Sequence, residues 1–412
     1  MKLTRKPWWR RRRRYGTSFV GRRRKCAVAR CRSTIAPRRF FQRYVSQRKP
    51  VILCGHIPEL ASLPNCWWAS QHLHGDEIQA EVRDGPRDVF GKGRRTTMRY
   101  GELLQRIAGG DTTHYLTTQE SSGDRLLSPP LTALASRLPL RPRLLGALVP
   151  QSINLWLGRT DDLTSSGLHH DYHDNLYVLL QGRKRFRLFP PSDAHLMQTV
   201  GTIATVHANG RICYVGEETA ADGRTPEEEA DEAADEAVRV AKRHQQHAEQ
   251  VLAEAEETAQ GVELAEEALE DAMDQVMAAE ERRRRLRRRR TSAGQDTNPS
   301  VQKPMLSRWC DDMGAPAVVT PPNFSRLGAL ETDAAGRLPA ALGGAHLLEC
   351  ELKAGEMLYL PAGWFHEVRS EGEHCALNYW YHPPDALEYK RPYKAHDFWQ
   401  RDWRSTLQRE RQ

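Results

Sequence analysis

The chain has 412 residues, 39% of them hydrophobic, so it is long enough for one large domain or two medium ones. No apolar run approaches the roughly 18 residues of a membrane-spanning helix, which argues against a membrane protein and predicts no membrane partner. The formal net charge of +8 is unevenly distributed, because residues 1–49 hold 19 Lys and Arg and no acidic residue. The remaining 42 basic and 53 acidic side chains leave the rest of the chain acidic.

Residues 1–37 form a basic head with dense blocks at residues 10–14 and 22–25. They show no helical or strand periodicity, and blocks of like charge repel one another, so we predict a disordered segment. Three uses of this head are open: a nuclear-import signal, an organelle transit peptide, or a patch that binds RNA. We favour a nuclear location because a second arginine block follows later in the chain, with an organelle and the cytoplasm as alternatives.

Short strands dominate the chain from residue 38 onward. Apolar runs bounded by Gly, Pro or charged residues predict strands at residues 51–53, 115–117, 152–157, 175–180, 185–189, 356–360 and 375–381. Short strands with few helices between them indicate an antiparallel sandwich or barrel. We expect this strand-rich domain in two parts, residues 38–215 and 300–395, with a helical tail at residues 396–412. The eight cysteines include no Cys-x-x-Cys pair, which favours reduced thiols in an intracellular protein.

Residues 216–299 interrupt the strand pattern with a sequence rich in Ala and Glu. Apolar residues recur there every seven positions, at Ala241, Ala248, Ala255, Val262, Leu269 and Val276, with a second stripe at Val251, Ala265, Ala272 and Ala279. This spacing predicts a long helix or a helical hairpin, and a weak coiled coil because small Ala fills most seam positions. The insertion ends in arginine blocks at residues 282–285 and 287–290, which are further candidates for binding RNA.

A candidate metal site lies in the segment 169–174, which is crowded with His and Asp. On an extended strand, residues i and i+2 project to the same side, so His169 and Asp171 can meet at one ion while His170 points away. Two imidazoles and one carboxylate suit Fe(II), because they leave open positions for oxygen chemistry. His366 is the candidate third ligand, since it follows an apolar strand, a Pro/Gly turn and two aromatic residues.

These segments resemble the JmjC family of cupin-fold oxygenases, and in particular its asparaginyl-hydroxylase and small JmjC hydroxylase branch. The resemblance covers most of residues 38–215 and 300–395. It implies a mainly β protein with flanking helices, built as a double-stranded β-helix (a jelly-roll or cupin barrel) that here carries a long charged helical insertion. It also implies Fe(II) at His169, Asp171 and His366, with 2-oxoglutarate as co-substrate. Because the family often dimerises through a C-terminal helical segment, residues 385–412 are candidates for a homodimer contact.

The most specific part of the resemblance is residues 175–191, a strand, a glycine turn and a second strand that ends in two prolines. It places Lys184 where the family's lysine pairs with the distal carboxylate of 2-oxoglutarate. The resemblance further implies co-substrate contacts from Tyr115, Ser166, Asn175 and Asn378, and makes Trp380 a candidate for the substrate wall. Ser166 stands where the asparaginyl-hydroxylase branch has threonine, and the hydroxyl is kept. No catalytic side chain is expected beyond the metal site.

The activity implied by the resemblance is oxidation of a C–H bond with O2 and 2-oxoglutarate. We favour hydroxylation of a side chain in a partner protein, because the sequence carries no accessory reader or zinc module. One alternative is demethylation of an N-methyl group on a histone or another protein, and a second is hydroxylation of a tRNA base. The third is a non-catalytic scaffold with a vestigial site, which the intact His/Asp/His set disfavours.

Overall fold

The structure is a computed structural model that describes residues 26–61, 63, 65–83, 94–118, 125–296, 320–332 and 338–410. The chain divides into two compact units, one formed by Met1–Gly223 with Lys303–Gln412 and the other by Arg224–Gln302. Most of the predicted basic head, residues 1–25, lies outside the described residues. Among the residues that are described, no helix combines the length and the hydrophobicity needed to cross a membrane.

The larger unit consists mainly of strands, with short helices beside them. The strands are β1 (Cys26–Ala27), β2 (Ala29–Arg32), β3 (Val51–Cys54), β4 (Glu77–Val82), β5 (Arg94–Arg99), β6 (His114–Thr117), β7 (Pro150–Ser165), β8 (His169–His170), β9 (Asp174–Phe189), β10 (Ile203–Val206), β11 (Ile212–Tyr214), β12 (Leu348–Lys353), β13 (Glu356–Leu360) and β14 (Phe365–Tyr381). The helices of this unit are α1 (Pro37–Phe40), which a π-helical turn at Phe41–Val45 continues, α2 (Pro58–Ala61), α3 (Tyr100–Ala108) and a C-terminal helix at His396–Arg409. Single 3₁₀ turns lie at Trp67–Ala69, Gln71–Leu73, Leu131–Leu134, Arg143–Leu145, Pro191–Leu196 and Ala340–Leu342.

Strands β9 and β14 form the centre of the barrel and pair antiparallel along their whole lengths. The main path through the sheet runs β2-β3-β13-β9-β14-β7-β6-β4-β5, while β10 and β11 form a separate ribbon. The β9–β14 register shifts between Glu371 and Cys375, opposite Gly182 and beside Gly372, which both have positive φ angles. Two long strands that bend together wrap the sheet around its own core, which confirms the predicted jelly-roll barrel with flanking helices.

Two details of the predicted strand pattern were wrong. Residues 175–180 and 185–189 were predicted as separate strands, but they belong to the single strand β9, because β14 pairs with it on both sides of Gly182. The disordered head was predicted to reach residue 37, whereas β1 and β2 pair in parallel with β12 and β3. Pairing with strands that are distant in sequence stabilises these two short segments. Their own sequence shows no periodicity from which the strands could be predicted.

The second half of β9 shows how the barrel wall separates its two faces. Lys184, Phe186 and Leu188 are buried, while the arginines between them point outward. Arg185 lies 3.5 Å from Glu351 on β12 and 3.7 Å from Glu371 on β14. The outer face therefore carries ion pairs across neighbouring strands, and the inner face presents a lysine to the interior.

The smaller unit is a helical hairpin of α4 (Pro226–Thr258) and α5 (Val262–Asp296), so α6 is the C-terminal helix at His396–Arg409. A capping box between Thr225 and Glu228 begins α4. Alanines bury their side chains at seven-residue spacing along the seam, at Ala234, Ala241, Ala248, Ala255, Ala265 and Ala272. Ion pairs between the helices, Lys242–Glu280 at 2.9 Å and Arg283–Asp235 at 3.6 Å, show that they run antiparallel. The predicted helical insertion is confirmed, whereas its coiled-coil character stays a prediction.

Gly363, in the turn before β14, is a position where we expect a methyl group to destabilise the fold. Its φ is +76°, and an added Cβ would lie 1.8 Å from the carbonyl oxygen of Gly210. The backbone strain and the overpacking together give Gly363→Ala an expected cost of about 2–5 kcal/mol in the free energy of unfolding. The matched control is Gly372→Ala, with φ +65° and open space around its Cβ, which should cost about 1–2 kcal/mol. Urea unfolding measures both, and equal costs would show that the contact with Gly210 is unimportant.

Candidate metal centre

Three predicted ligands meet at one end of the barrel. His169 lies on β8 and pairs in register with His366 at the start of β14, while Asp171 follows two residues after His169. One ligand atom from each of the three side chains lies within 4.8 Å of the others. The Nε2 atom of His366 is 3.8 Å from Oδ2 of Asp171. Elsewhere in the described part of the chain, His, Cys, Asp and Glu side chains form no other group of this kind.

The hydrogen bonds around the two imidazoles fit a divalent cation. Nδ1–H of His169 donates to the carbonyl oxygen of Gly167 at 2.9 Å, and Nδ1–H of His366 donates to that of Trp364 at 3.0 Å. Because a carbonyl can only accept, each ring keeps its Nε2 lone pair free for a metal. Burial, and after it the electrostatic interaction with His366, lowers the pKa of His169 to about 4, which keeps its ring neutral near pH 7. Two lone pairs and a carboxylate thus face one another without a proton donor between them, the arrangement that Fe(II) or a similar ion would satisfy.

The neighbours of these ligands have other partners. His170 points to the opposite face, where its Nε2 lies 2.7 Å from the Tyr214 hydroxyl, and burial lowers its pKa to about 3. The His173 ring stacks against Trp380, with 5.9 Å between ring centroids. Asp174 is fully buried and forms an ion pair with Arg48. These three neighbours are thus engaged with partners other than the candidate ligands.

One cavity collects all nine residues that the sequence predicted for the site. Its volume is about 1130 Å³, including the open mouth. The nine lining residues are Tyr115, Ser166, His169, Asp171, Asn175, Lys184, His366, Asn378 and Trp380. Which of these residues would contact a co-substrate and which a substrate stays a prediction.

Lys184 presents a buried positive charge at a distance from the metal ligands. It is only 2% exposed, and its Nζ donates to the Ser370 hydroxyl at 2.6 Å. No carboxylate of the described residues lies within ion-pair distance of it. Burial and, to a smaller degree, Arg83 lower the pKa of Lys184 to about 7. Ser370, its register partner, is four residues along β14 from His366, about 13 Å at strand spacing. A dicarboxylate could join the lysine to the metal, and it would supply the missing negative charge.

Several buried polar atoms of the cavity wall have no hydrogen-bond partner. They include Oδ1 of Asn175, Oδ1 of Asn378 and Nε1 of Trp380. Nδ2 of Asn175 donates to Oδ2 of Asp171 at 3.3 Å, so the free Oδ1 faces the cavity beside the metal ligands. Native proteins pair nearly all such atoms, which makes an unpartnered set in a cavity wall a sign of ligand binding.

Two predicted co-substrate residues lie in different surroundings. Ser166 accepts from the Val368 amide at 2.9 Å and donates to the Gly167 carbonyl at 3.0 Å, so its hydroxyl already connects two backbone segments. The Tyr115 side chain is buried with the Arg83 guanidinium 5.5 Å from its ring centroid. Burial raises the pKa of Tyr115, so its hydroxyl stays protonated and able to donate.

Other residues of the cavity wall were not predicted from the sequence, and four of them have an unpartnered polar atom or a contact with a predicted site residue. Thr117 and Trp156 are register partners on β6 and β7, and each has a buried polar atom without a partner, Oγ1 and Nε1 respectively. Strand alternation could have found Thr117, which follows Tyr115 by two residues. Ser370 and Phe324 carry no such signal, although Ser370 contacts Lys184 and the Phe324 ring stacks on His169 with 4.8 Å between centroids.

Comparisons with known proteins show the family of this chain. Residues 37–387 match the family described as the cupin-like domain. JmjC domain-containing protein 4 of Schizosaccharomyces pombe is 31% identical, over 89% of this chain and 87% of its own. The human bifunctional peptidase and (3S)-lysyl hydroxylase JMJD7 is 24% identical, over 86% of this chain and 83% of its own. The lysine-specific demethylase JMJ32 of Arabidopsis thaliana is 27% identical, over 39% of this chain and 50% of its own.

Proposed function

The chain belongs to the cupin-like domain family as a JmjC-type member, and from this premise we propose that it is an Fe(II)- and 2-oxoglutarate-dependent oxygenase that hydroxylates a side chain of a partner protein. JmjC cupin proteins are typically 2-oxoglutarate-dependent oxygenases, and the family generally uses Fe(II). The observation that carries the proposal is one cavity that holds both the converging His169, Asp171 and His366 and the uncompensated cation of Lys184.

The bound iron would supply the coupled oxidation in which O2, 2-oxoglutarate and a substrate C–H become succinate, CO2 and an alcohol. The protein's residues contribute binding, orientation and exclusion of water. His169, Asp171 and His366 would hold the metal, and the Asn175 amide fixes the orientation of the Asp171 carboxylate. Lys184 would hold the distal carboxylate of the co-substrate through a charge-assisted hydrogen bond.

The aromatic wall around the ligands keeps the reacting region dry. The Phe324 ring stacks on the His169 ring, and Trp380, which stacks with His173, lines the same cavity. Leu358, Leu360 and Val368 complete the apolar surface. Exclusion of water strengthens the charge interactions of Lys184 and Asp171 with their ligands, and it limits side reactions.

A protein side chain is the favoured target, and a lysyl residue is its first candidate. The candidate comes from the human relative, whose name records lysyl hydroxylation and whose similarity extends over most of both chains. The RNA alternative relied on the arginine blocks, and three of those arginines have carboxylate partners inside the hairpin. The pairs are Arg283–Asp235, Arg284–Glu280 and Arg285–Glu281. These pairs give the arginines a role in the hairpin itself, although exposed pairs contribute little energy.

The target can be identified by incubating a lysate with the purified protein, Fe(II), 2-oxoglutarate and ¹⁸O₂. Mass spectrometry of peptides and of digested tRNA then locates any incorporated oxygen. The proposal expects labelled peptides that are absent when Asp171→Ala replaces the wild type, and labelled lysyl residues among them. Label confined to tRNA would overturn the protein-substrate proposal, while leaving the oxygenase chemistry intact.

Thr117 and Trp156 should contribute to co-substrate binding, because their unpartnered donors lie beside Tyr115 in the cavity wall. Trp156→Phe and Thr117→Val remove one donor each while keeping similar shapes. Each change should raise the KM for 2-oxoglutarate roughly fivefold, since one hydrogen bond is worth about 1 kcal/mol. Steady-state kinetics measures the KM. The matched control is Trp403→Phe, which changes a buried tryptophan of α6 that does not line the cavity. A KM unchanged in both variants would assign the donors to another ligand.

A further inference from the structure

Arg48 lies far from the ligands in sequence, yet the structure connects it to two of them. It sits in a left-handed backbone conformation, with φ +53°, just before β3, and it is 4% exposed. Its guanidinium binds both carboxylate oxygens of Asp174, with NH1 2.7 Å from Oδ2 and NH2 also bonded to Oδ1. Its Nε donates to the Asn209 carbonyl at 2.7 Å. A buried, bidentate ion pair of this kind fixes both partners in one orientation.

Asp174 passes this constraint to the turn that precedes His366. Its Oδ1 accepts from the Ala362 amide at 3.0 Å, and its Oδ2 accepts from the Tyr359 hydroxyl at 2.6 Å. Each oxygen of this fully buried carboxylate therefore accepts two hydrogen bonds, one from Arg48 and one from residues 359–362. This explains in physical terms why Asp174, three residues beyond Asp171, is unavailable as a metal ligand.

The same turn contacts two metal ligands directly. The Gly363 amide donates to the Asp171 carbonyl at 3.0 Å, and the Trp364 carbonyl accepts from Nδ1 of His366 at 3.0 Å. The Trp364 indole in turn donates to the Arg48 carbonyl at 3.1 Å. Residues 362–364 are thus held by Arg48 and Asp174 on one side, and they hold Asp171 and His366 on the other.

We propose that the Arg48–Asp174 ion pair is a positioning device for the metal centre, which sets the orientation of Asp171 and His366 through the turn at residues 362–364. The inference rests on the proposed function, since it concerns the same metal site. Both residues act through other groups and touch neither metal nor co-substrate. Partners that orient metal ligands typically change metal affinity by about 10–100-fold when they are removed.

The test compares metal affinity with thermal stability in three variants. Asp174→Asn keeps an acceptor for the Ala362 amide and removes the charge, while Arg48→Met removes the guanidinium and keeps much of the side-chain volume. The double variant contains no unpaired buried charge, so it should recover much of the thermal stability that either single change loses. Mn(II) serves as a redox-silent probe, and electron paramagnetic resonance of the free ion gives its Kd.

We expect each single variant to bind Mn(II) about 10–100-fold more weakly than the wild type. The double variant should regain stability without regaining affinity, because the turn is still not held in place. Asp193→Asn is the matched control, since that buried carboxylate accepts from the His346 amide at 2.6 Å and should leave Mn(II) affinity unchanged.

Two results would overturn the inference. Mn(II) affinity within twofold of the wild type in the folded single variants would remove the positioning role, and so would a double variant that regains affinity together with stability. A wild-type protein that binds no divalent metal would instead contradict the proposed function itself, and the inference with it. The two failures are therefore distinguishable.

Discussion

Replacement of any one metal ligand by alanine, at His169, Asp171 or His366, is expected to abolish 2-oxoglutarate turnover. Removal of groups that merely orient metal ligands already costs about 10–100-fold, so loss of a ligand should exceed 100-fold in both metal affinity and succinate formation. The three ligand atoms lie within 4.8 Å of one another. Removal of any one of them would leave the metal with only two protein ligands. Succinate release from 2-oxoglutarate and Mn(II) binding measure the two losses.

His170→Ala is the control for this experiment. His170 lies between His169 and Asp171 in the sequence. Its side chain nevertheless points to the other face of β8 and contacts Tyr214. Its loss should lower thermal stability, while Mn(II) affinity stays near the wild-type value. A His170→Ala protein that loses Mn(II) binding as completely as His169→Ala, while still folded, would mean that the ligands have been assigned to the wrong face.

Lys184→Met is expected to weaken 2-oxoglutarate binding by about 2–5 kcal/mol, which is roughly 30-fold to several thousand-fold in Kd. The lysine is buried in the cavity with the Ser370 hydroxyl as its hydrogen-bond acceptor, so the ligand carboxylate would be its counter-charge. Methionine fills a similar volume without a charge that needs a partner, so the ligand-free variant should be at least as stable as the wild type. Calorimetric titration of the metal-loaded protein gives the Kd, and thermal unfolding gives the stability.

The pH dependence of 2-oxoglutarate binding tests the same assignment. Burial lowers the pKa of Lys184 to about 7, whereas a bound carboxylate favours the charged lysine, so binding takes up a proton and the affinity should fall as pH rises above 7. Stability of the ligand-free protein changes in the opposite direction. Between pH 7 and 10.5, the ordinary pKa of lysine, the unfolded lysine holds a proton that the folded lysine has lost, so the free energy of unfolding rises with pH.

Calorimetry in two buffers of different ionisation enthalpy, across pH 6.5 to 8.5, reports that proton uptake. Lys184→Met should bind weakly with little dependence on pH in this window. An affinity that stays constant with pH in the wild type, or a Lys184→Met protein with unchanged Kd, would show that another group holds the distal carboxylate.

The meeting of the three candidate ligands could be predicted from the sequence because the alternation of side chains along an extended segment is local. An i, i+2 spacing selects His169 and Asp171 from a crowded segment, and the aromatic residues before His366 place that histidine in a wall. Alternation along β9 likewise puts Lys184 on the same face as the apolar Phe186 and Leu188. Such alternation depends on the extended segment itself and not on the register of the barrel.

The parts that escaped prediction depend on distant pairings. Arg48 reaches Asp174 across 126 positions, and Phe324 covers His169 only because the chain returns after the helical insertion. The joining of two predicted strands into β9 depended on β14 pairing past Gly182, which no local pattern of β9 reveals. Such contacts depend on the fold as a whole, and they cannot be predicted from the residue types alone.

The most direct test of the central claim is one oxidation under controlled conditions. The protein is loaded anaerobically with Fe(II) and 2-oxoglutarate, freed of excess ligand, and exposed to O2 while succinate is measured. The account predicts that the wild type retains both ligands and forms succinate, up to one molecule per chain, and that Asp171→Ala does neither. A wild-type protein that retains no iron and no 2-oxoglutarate, and forms no more succinate than Asp171→Ala, would contradict it.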